Sequence, residues 1–497
     1  MPTLANSNRK ERQKVIVVAF FAKFLHLKII ALQPSASNSH LIVSFFNRRT
    51  LAPAAFAHQA SLCWYKFPDM KKLLFSLALF VVFVSKINAS YMLLPMDNEQ
   101  QNHLKAYGIT YWVISNNVEA RWLLNYRGGS FAFPYTALFE KECKTRGVSY
   151  EILPDAAFAR ILDEIAQPEA NMDAIKLEKA PKIAVYTPTE AFKSQRGDDI
   201  QPWDDAVTLV LTYAEIPFDK IYDDEVLADK LTEYDWLHLH HEDFTGQYGK
   251  FYAGYHTQEW YRENQRLSEE LAAKHGFQKV SQLKLAVAKR IKEYVAGGGF
   301  MFAMCSATDT YDIALAAEGV DICDKYYDGD GPDPAANSKL DFSKTFAFKD
   351  FELVMNPMEY EHSNIDSHYG RNIDPEQDYF TLFDFSAKWD PVPTMLTQCQ
   401  TRTVKGFMGQ STAFQKQYIK SNVLILGETK PMKEARYIHG EYGQGFFTFY
   451  GGHDPEDYRH YVQDPDTDLN LHPNSPGYRL ILNNVLFPAA RKKERKT

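Results

Sequence analysis

The chain has 497 residues, of which 45% are hydrophobic and 14% aromatic, and its formal net charge is −8. This composition is typical of a folded globular protein and excludes an intrinsically disordered chain, while the length allows two or three domains. Residues 1–89 carry a net charge of +10, so residues 90–497 carry −18. Because nucleic-acid binding requires a basic face, so acidic a body predicts no nucleic-acid partner.

The basic segment contains a pattern typical of a secretory signal peptide. Met70 is followed by two lysines, the apolar run Leu73–Val84 and the small residue Ala89, in the order of charged start, apolar middle and cleavage site. The apolar run is about half the roughly 20 residues that span a membrane. We therefore expect a signal peptide over 70–89, a periplasmic or secreted mature chain without a stable membrane span, and a non-native or disordered extension over 1–69. The alternative is a genuine extension that ends in a membrane anchor.

The cysteine pattern predicts neither a disulfide scaffold nor a zinc or redox motif. Export permits disulfides, but residues 90–497 hold only Cys143, Cys305, Cys323 and Cys399, without a CxxC pair. Four scattered cysteines are too few for a disulfide framework. One bridge among Cys143, Cys323 and Cys399 stays open, and no cofactor is expected.

Residues 90–178 predict a small α+β region. Strands are expected at 108–115, 118–126 and 148–153, helices at 137–147 and 157–166, a tight loop at 126–131 and a polar linker at 167–182. The helix at 137–147 should stop at Gly147, because glycine is the usual residue after a helix end.

Residues 179–490 predict an α/β domain. Strands are expected at 182–187, 218–223, 234–240, 299–304 and 444–452, and helices at 204–215, 257–295 with a break near Gly276, 308–319 and 477–487. Short apolar strands that alternate with helices indicate a parallel sheet with helices on both faces. Residues 320–436 are less regular and aromatic-rich, and form a predicted insertion. In such sheets, ligands bind at the carboxyl ends of the strands.

Cys305 lies between a predicted strand and a predicted helix, in the segment EYVAGGGFMFAMCSATDT at 293–310. A helix N-terminus favours a thiolate, and the backbone N–H of Ser306 can hold an oxyanion. This placement predicts a nucleophile. The alternative is a buried, inert cysteine, which is the usual fate of a cysteine beside an apolar strand.

His453 is the candidate base that a nucleophilic thiol needs. It follows the strand at 444–452, and Asp454, Glu456 and Asp457 follow within four residues. We expect His453 to pair with Cys305 and Glu456 or Asp454 to orient its imidazole. The alternative is a loop histidine that hydrogen-bonds to neighbouring acids and only stabilises the turn.

A third polar segment, HLHHEDFTGQYG at 238–249, follows the strand at 234–240. His238 and His240 should share one face of the strand, because side chains alternate along it. The residues expected to shape the pocket and supply an oxyanion N–H are His240, His241, Glu242 and Asp243. Histidines and carboxylates can bind metals, and EHSNIDSH adds Glu361, His362 and His368. Their spacing matches no metal signature, so no metal is predicted.

The segments around Cys305 and His453 resemble the class I glutamine amidotransferase-like fold, and most closely its ThuA-like branch. YVAGGGFMFAMCSATDT is similar to the GGG, apolar strand and small residues of that elbow, and GQGFFTFYGGHDPE with GYRLILNNVLF is similar to its late strand, Gly-His and closing helix. The ThuA-like branch usually has His where Cys305 stands, whereas amidotransferases have Cys. Their base lies in a His-Pro-Glu triplet, but here Asp454 is an extra residue between His453 and Glu456. The resemblance covers about residues 181–490.

The chain from residue 90 also resembles exported bacterial proteins labelled asparagine synthetase B, on LLNYRGGSF and YDWLHLHHEDFTGQYG. True glutamine-dependent asparagine synthetases have a nucleophilic Cys directly after the starting Met and an SGGxDS loop. Neither is present here. The label therefore implies no synthetase chemistry.

The sequence favours an exported hydrolase or amidotransferase-like enzyme that acts on an amide or related acyl bond of a small molecule, glycan or peptide. Cys305 would attack the carbonyl, and His453 would move the proton. One alternative is a non-catalytic protein that binds a carbohydrate or another ligand on the same fold. Another is a metal-dependent hydrolase that uses His240, Glu242 and His453.

Overall fold

The computed structural model describes residues 90–189, 204–367 and 373–490. The predicted extension and signal peptide lie outside these residues, as does His368. The β-strands are β1 (Ser90–Leu94), β2 (Ala120–Leu124), β3 (Ser130–Pro134), β4 (Glu151–Pro154), β5 (Asp173–Leu177), β6 (Ile183–Tyr186), β7 (Asp219–Ile221), β8 (Trp236–Leu239), β9 (Phe300–Met304), β10 (Tyr379–Leu382), β11 (Thr403–Lys405), β12 (Phe414–Gln415), β13 (Leu424–Thr429), β14 (Glu434–Tyr442) and β15 (Gly445–Tyr450).

The α-helices are α1 (His103–Ser115), α2 (Ala137–Arg146), α3 (Asp155–Ile165), α4 (Ala206–Ala214), α5 (Asp223–Leu227), α6 (Tyr252–Tyr255), α7 (Glu259–Lys274), α8 (Val280–Ala296), α9 (Ala307–Ala316), α10 (Lys325–Asp328), α11 (Ala336–Lys339), α12 (Pro391–Leu396) and α13 (Pro476–Leu486). α2 ends where the sequence predicts, because Gly147 adopts a φ of 69° and its N–H caps the helix. The predicted break near Gly276 separates α7 from α8.

An antiparallel five-stranded sheet, in the order β4-β1-β3-β2-β5, forms the N-terminal region. α1 packs on one face, where Tyr107 makes edge contacts with Trp122 and Phe131. α3 packs on the other face through Phe158. The face beneath α1 belongs to the same hydrophobic cluster as one face of the larger sheet, so the two regions share a core.

The predicted strand at 108–115 is wrong, because these residues belong to α1. Asn102 caps this helix, with its side-chain oxygen accepting from the Lys105 N–H at 2.9 Å. α1 is buried on most sides, so its residues form a nearly continuous apolar run. Periodicity cannot distinguish such a buried helix from a strand.

The predicted polar linker at 167–182 is also wrong, since it contains the edge strand β5. β5 pairs antiparallel with β2, and Ile175 lies opposite Trp122. Ile175 and Leu177 are buried while Lys176 between them is less so. This short alternation is hidden by the polar residues and prolines that flank it.

The larger sheet has the order β11-β10-β13-β14-β15-β9-β8-β6-β7, with β12 paired to β14. Strands β15, β9, β8, β6 and β7 are mutually parallel. From β14 to β11 the pairing is antiparallel. The α/β class is confirmed, and the sheet is partly rather than wholly parallel.

The antiparallel half lies largely in the region, 320–436, that the sequence predicts to be less regular. β14 is its longest strand, and it carries the buried polar residues Glu434, Arg436 and His439. Buried polar side chains obscure the apolar pattern by which a strand is recognised. Each is accommodated by a specific contact; Arg436, for example, lies 2.7 Å from Asp378.

Helices cover both faces of the larger sheet. Phe302 and Met304 of β9 face α4 and α13, whereas Met301 and Ala303 face α8 and α9. This alternation follows from the two-residue period of a strand. The turns that follow the parallel strands therefore meet at one edge, between two helical layers.

The cysteines of the described residues are free, so the bridge left open among Cys143, Cys323 and Cys399 is not formed. Cys143 and Cys323 are fully buried. Burial raises the pKa of both thiols, which makes them inert. Within 90–189, 204–367 and 373–490, no helix combines the length and apolar character needed to cross a membrane.

Candidate active site

Cys305 occupies a strained turn at the carboxyl end of β9. It directly precedes the first turn of α9, and its φ of 51° lies in the left-handed region that residues with a side chain rarely adopt. The turn is held by two backbone hydrogen bonds, from Cys305 N–H to Gly452 at 3.2 Å and from Ala307 N–H to His240 at 2.8 Å. Backbone strain persists only where surrounding contacts impose it, and it clusters at functional sites.

His453 reaches the same edge from the neighbouring parallel strand, β15. A side chain at Gly452 would place its Cβ 2.3 Å from the Phe407 ring, so only glycine allows this path. The His453 N–H donates to Met408 at 2.9 Å. The imidazole lies close enough to the Cys305 thiol for the thiol to raise the pKa of His453. The structure thus brings together the two residues that the sequence nominates as nucleophile and base.

The carboxylate paired with His453 is Asp204, which the sequence analysis did not select. Asp204 Oδ1 lies 3.7 Å from His453 Nε2 and 3.1 Å from His460 Nε2. The two imidazoles stack, with centroids 4.4 Å apart. The sequence signal was the acidic pair Asp204-Asp205 at the start of the predicted helix at 204–215.

The charge state of His453 is set by these neighbours. Burial alone would lower its pKa, but the neighbouring Asp204 and Cys305 outweigh burial and raise the pKa to about 10. Burial likewise opposes ionisation of Asp204, yet the neighbouring His453 imidazole lowers its pKa. The arrangement is therefore that of a Cys–His–Asp set.

A second buried group lies beside the first. Asp205 caps α4 by accepting from the Val207 and Thr208 N–H groups, and its carboxylate lies 3.3 Å from both His238 Nε2 and His240 Nδ1. His238 of β8 and His240, just past the end of that strand, therefore both face Asp205. Burial dominates at His240 and lowers its pKa to about 4.

The remaining residues of the 240–244 loop face different parts of the structure. The His241 ring lies 4.9 Å from His240 and 5.9 Å from His453, measured between centroids. Glu242 turns the other way, toward the Tyr222 hydroxyl at 3.5 Å. Asp243 accepts from the N–H groups of Thr245, Gln247 and Gly249. His240 and His241 thus border the Cys305 site, while Glu242 and Asp243 hold the loop.

The other carboxylates that the sequence nominated have partners of their own. Glu456 Oε2 lies 3.1 Å from His472 Nδ1, and Asp454 Oδ2 accepts from the Tyr478 hydroxyl at 2.8 Å. Asp204 holds the place beside His453 that we expected for Glu456 or Asp454. Asp457 lies 3.1 Å from His460, so it contacts the site indirectly.

Two residues of the segment EHSNIDSH, Glu361 and His362, are buried. His362 Nε2 lies 3.5 Å from Asp243. That contact supports the loop rather than the thiol.

Ser306 directly follows Cys305 and precedes the first residue of α9. It is 1% exposed, and its carbonyl accepts from Thr310. Among the described residues, neither its backbone N–H nor its hydroxyl has a hydrogen-bond partner. An unused backbone donor next to the nucleophile at a helix N-terminus can receive a developing negative charge.

The site also has the composition of a metal centre. Two overlapping sets of side chains place their ligand atoms within 4.8 Å of one another, His240 with His241 and His453, and Asp204 with His453 and His460. Both ring nitrogens of His240 and both carboxylate oxygens of Asp204 are buried without a hydrogen bond. Buried polar atoms are normally satisfied, so this cluster has capacity for a ligand.

No family model matches the chain, and no curated protein matches it. Solved structures similar to it include the cytoplasmic protein STM3548 from Salmonella typhimurium, at 12% identity and a TM-score of 0.30, covering 63% of this chain and 100% of that one. Another is the cytoplasmic protein STM1381 from Salmonella typhimurium LT2, at 11% identity and a TM-score of 0.31, covering 62% of this chain and 100% of that one. Similarity at this level assigns neither fold nor function.

Proposed function

We propose that the protein is a thiol-dependent hydrolase or amidotransferase-like enzyme that acts on an amide or related acyl bond. Cys305 is the nucleophile, His453 the base and Asp204 the carboxylate that orients His453. One observation carries this assignment. A cysteine in a strained turn just before a helix lies beside an imidazole whose pKa it raises, and that imidazole pairs with a buried carboxylate.

The reaction follows from these positions. The Cys305 thiolate attacks the acyl carbon, and the Ser306 N–H receives the charge on the carbonyl oxygen. His453 gives its proton to the leaving amine, so the C–N bond breaks and a thioester forms. His453 then takes a proton from water, which attacks the thioester and releases the carboxylic acid and the Cys305 thiolate, so that the starting thiolate and imidazolium are restored. Atoms and protons balance without a further reactant.

We also propose that the larger sheet is a class I glutamine amidotransferase-like arrangement of the ThuA-like branch. The five parallel strands, the helices on both faces and the cysteine turn after β9 support this assignment. The antiparallel strands β14, β13, β10 and β11 would be an elaboration of it. A secreted location and a glycan-linked or peptidic amide as substrate remain proposals drawn from the sequence alone.

The assignment is tested by alkylation of the purified protein with iodoacetamide at pH 6.5, followed residue by residue by mass spectrometry. Cys305 should react first, and His453→Asn should slow its reaction by at least about tenfold because the thiolate loses its counter-ion. Cys323→Ser is the matched control, since that thiol is buried away from any imidazole pair.

Screening for substrates also tests the assignment of Cys305 as the nucleophile. Any amide or ester that the protein hydrolyses should leave a thioester adduct on Cys305, and Cys305→Ala should lower the rate by about 10⁴-fold. If Cys305 stays unmodified until the protein unfolds, or reacts equally in wild type and His453→Asn, the thiol is inert and the proposed function fails.

A further inference from the structure

We propose that His240, His241 and His453 form a binding site for a divalent transition-metal ion of the zinc class, and that metal occupancy switches the thiol chemistry off. The binding part stands on geometry independent of the proposed function. The inhibitory part rests on it, because the metal would engage the imidazole that serves Cys305.

The three imidazoles meet the spatial requirement of such a site. Their ligand atoms lie within 4.8 Å of one another, and their rings converge, with His240 and His453 centroids 4.5 Å apart. Zinc–nitrogen bonds of about 2.0–2.1 Å in a tetrahedron put neighbouring nitrogens about 3.4 Å apart. Small side-chain rotations therefore suffice to close the set around one ion.

His240 has the features of a ligand prepared for a metal. It is 1% exposed, and neither ring nitrogen has a hydrogen bond. Its Nδ1 faces Asp205 at 3.3 Å, which leaves Nε2 directed elsewhere. A carboxylate behind a histidine is the usual outer contact of a metal ligand, because it fixes the tautomer and strengthens the donor nitrogen.

The same pattern recurs at His453, where Asp204 stands 3.7 Å from Nε2. The two carboxylates Asp204 and Asp205 also place negative charge behind the imidazoles, which offsets the charge of a divalent cation. Three nitrogen donors suit zinc, cobalt, nickel or copper, whereas magnesium and calcium prefer oxygen ligands.

A second cluster has ligand atoms at similar spacing but is already paired with a lysine, so it is not free to bind a metal ion. Asp321, Cys323 and Asp328 also lie within 4.8 Å of one another. However, the Lys279 ammonium already contacts Asp321 at 2.5 Å and Asp328 at 2.9 Å, so a fixed cation neutralises these carboxylates. The imidazole cluster contains no lysine or arginine contact of this kind among the described residues.

The test is titration of the purified full chain, stripped with chelator, with Zn²⁺ by calorimetry, and with Co²⁺ by visible absorption. We expect one equivalent of metal, an intense tetrahedral Co²⁺ spectrum, and a higher Tm in Zn²⁺ because the metal binds only the folded state. His241→Ala should weaken binding at least tenfold and abolish the Tm shift. His241→Gln serves as a second variant if the alanine form folds poorly, and His256→Ala is the control that should retain full binding.

Alkylation of Cys305 then separates the two proposals. One equivalent of Zn²⁺ should slow it at least tenfold in wild type and leave it unchanged in His241→Ala. Absence of binding, or binding that His241→Ala does not weaken, overturns the metal site. Binding with a Cys305 that is inert even in stripped protein leaves the site standing and overturns the proposed function. Activity that is lost on stripping and restored by Zn²⁺ overturns the inhibitory role.

Discussion

Two buried polar clusters lie on opposite sides of the same loop, and they differ in how completely their polar atoms are used. In one, the Lys284 ammonium donates to Tyr186, Tyr222 and Asp223 at 3.0–3.2 Å. Tyr186 in turn donates to Asp223. All three ammonium protons have acceptors, and the carboxylate is neutralised.

In the other cluster, around Cys305, several buried atoms have no hydrogen bond. They include both ring nitrogens of His240, Nε2 of His238, Nε2 of His453 and both oxygens of Asp204. The 240–244 loop contributes to both clusters, because Glu242 faces Tyr222 while His240 faces His453. A buried polar cluster whose atoms are all hydrogen-bonded stabilises the fold. A buried polar cluster with unbonded atoms has hydrogen-bonding capacity left for a ligand.

Breaking the satisfied cluster should produce the largest loss of stability. Lys284→Met leaves Asp223 buried without a counter-charge, and should lower the free energy of unfolding by about 3–5 kcal/mol, measured by urea denaturation. The double variant Lys284→Met with Asp223→Leu should recover much of that loss. A single variant as stable as wild type would contradict the assigned structural role.

A buried imidazole outside the Cys305 site, His439, should make the stability of the protein depend on pH. His439 is stacked on Phe446 and bonded to the Thr448 hydroxyl at 2.9 Å, and burial lowers its pKa to about 4. Because the folded pKa is below the unfolded value, the unfolded state binds the proton more readily. His439 therefore contributes stability that is fully present above about pH 6.5 and is lost as the pH falls toward 4.

This contribution is up to about 3 kcal/mol, from about 1.4 kcal/mol per pKa unit. The measurement is urea unfolding at several pH values between 4 and 7, in wild type and His439→Gln. The variant should show a shallower loss of stability with falling pH. Identical slopes would mean that His439 is not held neutral.

Substitutions of the adjacent residues Asp204 and Asp205 should separate an effect on activity from an effect on stability. The loss of stability should be the smallest of the three predicted losses. Asp204→Ala removes the partner of His453 but no helix cap, and should lower hydrolysis and Cys305 alkylation by about 10²-fold with little change in unfolding. Asp205→Ala removes the cap of α4 and the partner of His238, and should cost about 1–2 kcal/mol of stability. If both variants lose stability equally, Asp204 is a structural residue.

Much of the parallel half of the sheet could be predicted from local patterns. β6, β8, β9 and β15 are short apolar runs, and α4 and α13 are periodic segments with identifiable ends, so their types were clear. α1 was missed because it is buried on most sides, and β14 because Glu434, Arg436 and His439 are buried through partners distant in sequence. Neither kind of burial can be read from a local pattern.

The sequence by itself identified the candidate residues at the strand ends, Cys305, Ser306, His240 and His453, because strand-to-helix turns and histidine-rich loops are local features. Only the tertiary structure showed which carboxylate lies beside His453. Asp204 lies some 250 positions from His453 in the sequence and reaches it because α4 packs against the sheet beside β8. Pairing between side chains depends on distances through space, and these are fixed when separate elements bury a common core.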